Sequence, residues 1–167
     1  MLPEGGSADL ARRWLPYSPT MKILVADDDP IIRQVLINLL QKWEYEPVAV
    51  ANGVEALTAV NADPDLRVAL FDWMMPELSG LDLVRKIREM NITPFYIIMI
   101  TAKDTKESLL EALDAGADDF VQKPFDREVL HARIKVAERA VNLQTYLIQE
   151  LTSAQQEAEN LRQQLGG

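Results

Sequence analysis

Cysteine is absent from the 167 residues, which excludes a disulfide framework and any thiolate metal site and fits a reducing cytosol. Long apolar runs are missing too. A stretch such as Tyr96 to Ile100 is far shorter than the roughly 20 residues a membrane-spanning helix needs. No charged n-region with a long apolar stretch opens the chain, so the expected location is cytoplasmic, with no membrane partner. Basic charge is scarce: 17 Lys and Arg stand against 26 Asp and Glu, a net charge of -9. That balance offers no electrostatic footprint for a nucleic-acid backbone, and direct nucleic-acid binding is not expected. Histidine occurs once, as His131, on a predicted helix far from the residues that carry chemistry.

What is present is an ordinary globular balance, 48% hydrophobic and 26% charged, enough for one core plus a modest extension. Residues 1–20 hold Pro3, Gly5, Gly6, Pro16 and Pro19 with little periodicity. They read as a flexible N-terminal extension, in which Leu10, Trp14, Leu15 and Tyr17 are the residues a docking surface would take.

From Lys22 onward, short apolar runs alternate with amphipathic stretches. Strands are predicted at Lys22–Ala26, Pro47–Val50, Val68–Phe71, Tyr96–Ile100 and Phe120–Gln122. Helices are predicted at Ile31–Trp43, Val54–Asn61, Leu81–Met90 and Lys106–Ala115, and the pattern is continuously helical after Asp126. Strands that dispense with polar alternation are buried on both faces, which implies an α/β fold with a parallel sheet covered on each side. In such sheets the ligand site lies beyond the carboxyl ends of the strands.

Those ends carry Asp27 and Asp28, Asp72, Thr101, and Lys123 followed by Pro124. Three carboxylates brought to one edge repel one another and call for a cation. Oxygen donors of this kind suit Mg²⁺, which takes one or two carboxylates plus waters and a phosphate oxygen. A carboxylate beside such an ion can act as nucleophile toward a phosphoryl group, with Lys123 as a mobile counter-charge and Thr101 as a hydroxyl donor. Taken singly, an acidic pair is a solvated loop or cap and a Lys-Pro is a turn; the weight lies in their order along one sheet.

The stretches KILVADDDP at Lys22–Pro30, LFDWMMPELSGLDL at Leu70–Leu83, ITA at Ile100–Ala102 and GADDFVQKPF at Gly116–Phe125 resemble the receiver domain of bacterial two-component response regulators, over about residues 21–135. The resemblance implies a flavodoxin-like, doubly wound five-stranded parallel sheet in the order 2-1-3-4-5. It also implies that Asp72 is the phosphoacceptor, that Mg²⁺ is held by Asp28 directly, Asp27 largely through water, Asp72, and the backbone carbonyl of Met74, and that Lys123 contacts the phosphoryl group. Thr101 and Phe120 become the switch residues, and Phe120, lacking a tyrosine's hydroxyl, would switch by packing alone. Met74 and Trp73 could shape access to the phosphoryl group. Pro76 and Gly80 fit as the stop and flexible joint of the loop after Asp72, with glycine tolerating positive φ. The implied partner is a histidine kinase or phosphotransfer protein.

Beyond residue 135 the helix continues well past the length a receiver needs. Val136, Ala140, Leu143, Leu147, Leu151, Ala154, Ala158, Leu161 and Leu165 form a heptad seam with one stutter at Leu147 to Leu151. Residues 136–167 are therefore expected to be a coiled-coil extension that makes a parallel homodimer. In the family such helices lead to a downstream effector, which this chain is not expected to contain, so no enzyme activity beyond its own phosphorylation and dephosphorylation is expected. The acidic Asp118 and Asp119 and the basic Arg133 are placed to pair. Two other readings stand beside the switch. One is a non-phosphorylated dimerisation scaffold with a degenerate site. The other is a small enzyme on a similar sheet, against which stand the lack of a Gly-rich phosphate loop and the presence of Met74 where a second catalytic acid would be.

Overall fold

A computed structural model of the chain describes residues 20–166. The expected N-terminal extension thus lies outside the described residues apart from Thr20. Strands β1 (Lys22–Ala26), β2 (Glu46–Val50), β3 (Val68–Asp72), β4 (Tyr96–Thr101) and β5 (Asp119–Gln122) alternate with helices α1 (Pro30–Lys42), α2 (Gly53–Ala62), α3 (Gly80–Glu89), α4 (Lys106–Ala115) and α5 (Arg127–Leu165). All strand pairs are parallel and the sheet runs β2-β1-β3-β4-β5. This is the flavodoxin-like order expected from the sequence.

Alternate residues of each central strand feed different layers. Leu24, Ala69, Phe71, Ile97 and Met99 join Val84, Ile87, Ala56 and Ala112 from α2, α3 and α4. Ile23, Val25, Val68, Leu70, Ile98 and Ile100 join Leu36 and Leu40 of α1 and Leu130, Ile134 and Ala137 of α5. Hence β1, β3 and β4 are almost wholly apolar, while the edge strand β2 is only partly buried.

Each helix opens on a side-chain cap. Asp29, Asn52, Ser79, Thr105 and Asp126 accept hydrogen bonds from the first-turn amides of α1 to α5, satisfying donors that have no partner within the helix. Pro30 occupies the first turn of α1, where its missing N–H costs nothing. At the other end of α4, Gly116 takes φ 113° against the side chain of Arg88. Arg88 then joins α3, β4 and β5: Nε and Nη1 donate to the carbonyls of Gly116 and Phe95, and Nη2 donates to Asp118 at 2.7 Å. Asp118 therefore pairs with Arg88, and only Asp119 meets Arg133, at 3.5 Å. The sequence spacing had offered both acids to Arg133.

The glycine of the β3–α3 loop serves a different purpose from the expected one. Positive φ falls on Glu77, at 68°, whereas a Cβ on Gly80 would stand 2.0 Å from the carbonyl oxygen of Asp72. Gly80 is required by close approach, with its amide bonded to the Trp73 carbonyl at 2.8 Å. It holds the loop hard against the end of β3.

Helix α5 runs 39 residues without interruption, about 58 Å at 1.5 Å per residue. Leu130, Ile134, Ala137 and Val141 face the core. Leu143, Leu147, Leu151, Leu161 and Leu165 are all more than half exposed, so the predicted seam is an uncovered apolar stripe on the part of the helix that leaves the body.

Candidate functional site

The sequence reading ended β3 and β4 at their last apolar residues. The ladder goes one residue further in each: Asp72 pairs with Ile100 and Thr101 with Gln122. Asp72 and Thr101 are thus held by strand hydrogen bonding rather than by a loop, and both are buried. Asp27 follows β1 and is 1% exposed. Its Oδ1 accepts the amide of Asp29 at 2.9 Å, and its own carbonyl accepts Nη1 of Arg33 at 2.7 Å. Arg33 was not singled out from the sequence; its place one turn into α1, after a strand-end acid, is the feature that could have marked it.

Lys123, after β5, brings the acids together. Its Nζ lies 2.8 Å from Asp27 Oδ2 and 3.4 Å from Asp72 Oδ2. The tighter partner is Asp27, whereas the sequence pointed first to Asp72. Lys123 precedes a cis peptide to Pro124. Burial pushes the Asp72 carboxyl above its usual range, and the neighbouring Asp27 charge adds to this; Lys123 and the Met74 amide, which hydrogen-bonds the carboxylate, pull the other way without winning. For Lys123, burial lowers the pKa, but the hydrogen bond to Asp27 and the charge of Asp72 outweigh it, and the ammonium is held more firmly than usual.

Asp28 is exposed, yet one oxygen each from Asp27, Asp28 and Asp72 all lie within 4.8 Å of one another. Three hard oxygen donors, one open to solvent and able to keep waters on an ion, fit the coordination habits of Mg²⁺. Met74 contributes its amide to Asp72 and leaves its side chain 63% exposed. Trp73 instead packs into the core, and Lys103 Nζ sits 4.2 Å from its ring centroid, a cation–π contact. Lys103, half-buried here, escaped the sequence reading because a lone lysine after Thr101 has nothing to mark it. The Thr101 hydroxyl accepts the Lys103 amide at 3.2 Å, so it is engaged with the β4–α4 loop rather than with Asp72. Phe120 is half-buried on the core layer beneath α4. His131 lies away from this edge, stacked on Trp43.

Residues 23–135 match the model of the response regulator receiver domain. The chain belongs to that family. The chemotaxis protein CheY1 of Helicobacter pylori is 42% identical over 118 residues, 70% of this chain and 95% of that protein. Among solved structures, the receiver domain of the Francisella response regulator 1452 superposes with a TM-score of 0.67 at 34% identity, covering 71% of this chain and 96% of that one. A crystal structure described as a two-component system response regulator/GGDEF domain protein gives 0.69 at 31% identity, covering 73% of this chain but 50% of that one. The receiver domain is a phosphoacceptor module of two-component signalling, and the buried acids described above lie at its strand ends. Among the described residues no helix is long and apolar enough to cross a membrane.

Removing the lysine tests the electrostatics directly. With Lys123→Met, Asp72 loses the charge that opposes its upward shift, so its carboxyl should titrate at still higher pH in ¹³C NMR. A carboxyl whose folded pKa exceeds its unfolded value makes the folded state bind more protons, so stability falls as pH rises through that window. The variant should therefore lose roughly 3 kcal/mol in urea unfolding near neutral pH, as expected for a buried charge left without its partner, and less in acid.

Proposed function

We propose that Asp72 is the phosphoacceptor of this receiver domain and that Asp27, Asp28, Thr101 and Lys123 serve its reaction. The observation that carries the reading is a buried strand-end carboxylate within 3.4 Å of a lysine ammonium and beside two further acids. A phosphohistidine on a histidine kinase or phosphotransfer protein is the donor. An oxygen of Asp72 forms the bond to phosphorus as the phosphorus–nitrogen bond breaks, and the imidazole leaves with the electron pair. Asp27, Asp28, Asp72 and the Met74 carbonyl would hold Mg²⁺, which supplies positive charge to offset that of the transferring group. Lys123 is tethered by Asp27, so it stays near the site while Asp72 reacts and can then pair with a phosphoryl oxygen.

The same geometry suggests how the change is reported. If the Thr101 hydroxyl turns to a phosphoryl oxygen, the Lys103 amide loses its acceptor and the β4–α4 loop is freed. Phe120 then repacks against the vacated surface, by shape alone. The output is read through α5, whose exposed leucine stripe pairs with that of a second copy as a parallel coiled coil. In the GGDEF-containing neighbour the receiver accounts for about half of the protein, and by analogy α5 would pass the signal to an effector. A cytoplasmic location suits a kinase partner.

With a small phosphodonor such as acetyl phosphate and Mg²⁺, the parent should be labelled and a folded Asp72→Asn variant should stay at background; equal labelling of the two would remove Asp72 from its role. Sedimentation of Leu147→Gln/Leu151→Gln should give the mass of one chain where the parent gives two. A parent that sediments as one chain at tens of micromolar would contradict the coiled coil.

A further inference from the structure

A concavity unrelated to the acidic edge lies at the other end of β1 from Asp27. It is an open groove of about 720 Å³ where the α1–β2 connection meets the first half of α5. Met21, which precedes β1, stands at its rim, so the length of β1, about 17 Å at 3.3 Å per residue, separates it from the acids. Its floor is built for contact. Trp43 and His131 stack with centroids 4.3 Å apart and planes 1° from parallel, and the Tyr45 hydroxyl donates to Glu138 Oε2 at 2.6 Å. The side-chain oxygen of Asn142 is buried and has no hydrogen-bond donor among the described residues. A buried acceptor left without a donor costs about 1–3 kcal/mol, so the groove has a polar site to satisfy as well as aromatic surface to cover.

We infer that this groove is the docking site of the chain's own N-terminal segment, residues Leu10–Tyr17. The tether favours this occupant over any other: Thr20 and Met21 deliver the segment to the rim, and Tyr17 is four residues before Met21, an extended reach of about 13 Å. From His131 to Asn142 the groove follows α5 for about 16 Å, within range of Leu10–Tyr17. Composition fits as well. Trp14, Leu15 and Tyr17 supply apolar and aromatic faces, and the Trp14 indole N–H, the Arg12 and Arg13 guanidiniums and the backbone amides are all donors for Asn142. Pro16 and Pro19 favour an extended backbone at the residues before them, the form in which a segment lies along a helix. A tethered segment binds at high effective concentration, so modest contacts suffice. The occupied groove sets the leader against the root of the exposed part of α5, where it braces the angle at which that helix leaves the body.

The absence of cysteine makes the test clean. In the full chain, Arg13→Cys is paired with Arg139→Cys on the exposed rim, or with Glu111→Cys on the exposed face of α4 as a control. Disulfide formation in oxidised glutathione is followed by mass and gel mobility, with folding checked by circular dichroism. The Arg13/Arg139 pair should close within one chain at least about tenfold faster than the control pair, and adding Trp14→Ala, Leu15→Ala and Tyr17→Ala should abolish that advantage. Equal rates for the two pairs would overturn the proposal. So would disulfides formed only between chains, which would assign the groove to a second copy.

Discussion

Lys123 reaches from the end of an edge strand to Asp27 beyond β1 and Asp72 at the end of β3, and the arrangement of the carboxyl edge depends on that reach. Two carboxylates at the separations of a shared site repel by about 4 kcal/mol at an effective dielectric of roughly 20, and both Asp27 and Asp72 are withdrawn from water. A single ammonium, 2.8 Å from one and 3.4 Å from the other, makes that burial tolerable. Its uneven placement has a mechanical meaning. The firmer grip of Asp27 anchors the lysine, so Asp72 has a nearby counter-charge without being locked to it, which suits its proposed role as nucleophile.

The rest of the site is arranged so that a change at Asp72 has somewhere to go. Gly80 lets the β3–α3 loop pack directly against the Asp72 carbonyl, with its amide bonded to the Trp73 carbonyl. On the opposite side the buried Thr101 hydroxyl accepts one 3.2 Å bond from the Lys103 amide, and Lys103 leans on Trp73. On the proposed reading, rearrangement at Asp72 would run toward β4, β5 and Phe120. Beyond them α5 has one face sunk in the core through Leu130, Ile134 and Ala137 while a separate leucine stripe leaves the body uncovered. A helix fastened at one end to a responsive surface and free at the other is a natural lever.

Much of this was legible because the physics leaves a local trace. Strands buried on both faces must be apolar, so β1, β3 and β4 stood out and the α/β alternation implied a parallel sheet, while the strand order came from the resemblance to the receiver domain. The strand-end acids, Thr101 and Lys123 could be picked out because their chemistry is unusual at the ends of apolar runs. What was missed depends on pairing across the fold. Apolarity marks the last core residue of a strand and not its last ladder bond, so Asp72 and Thr101 were placed one residue beyond their strands. Arg88 and Lys103 look like surface charges in sequence; only the fold brings one to three separate acceptors and the other over a tryptophan. Gly80 was credited with conformational freedom, when its true constraint is the carbonyl of Asp72, a neighbour that only the folded loop brings to it.

The most direct measurement is to trap the phosphorylated chain chemically. Borohydride reduces an acyl phosphate on aspartate to an alcohol, converting that residue to homoserine, which mass spectrometry can place. After treatment with a phosphodonor and Mg²⁺, homoserine should be found at position 72 and nowhere else. Homoserine at position 27 or 28, or phosphate resistant to borohydride on another side chain, would contradict the account.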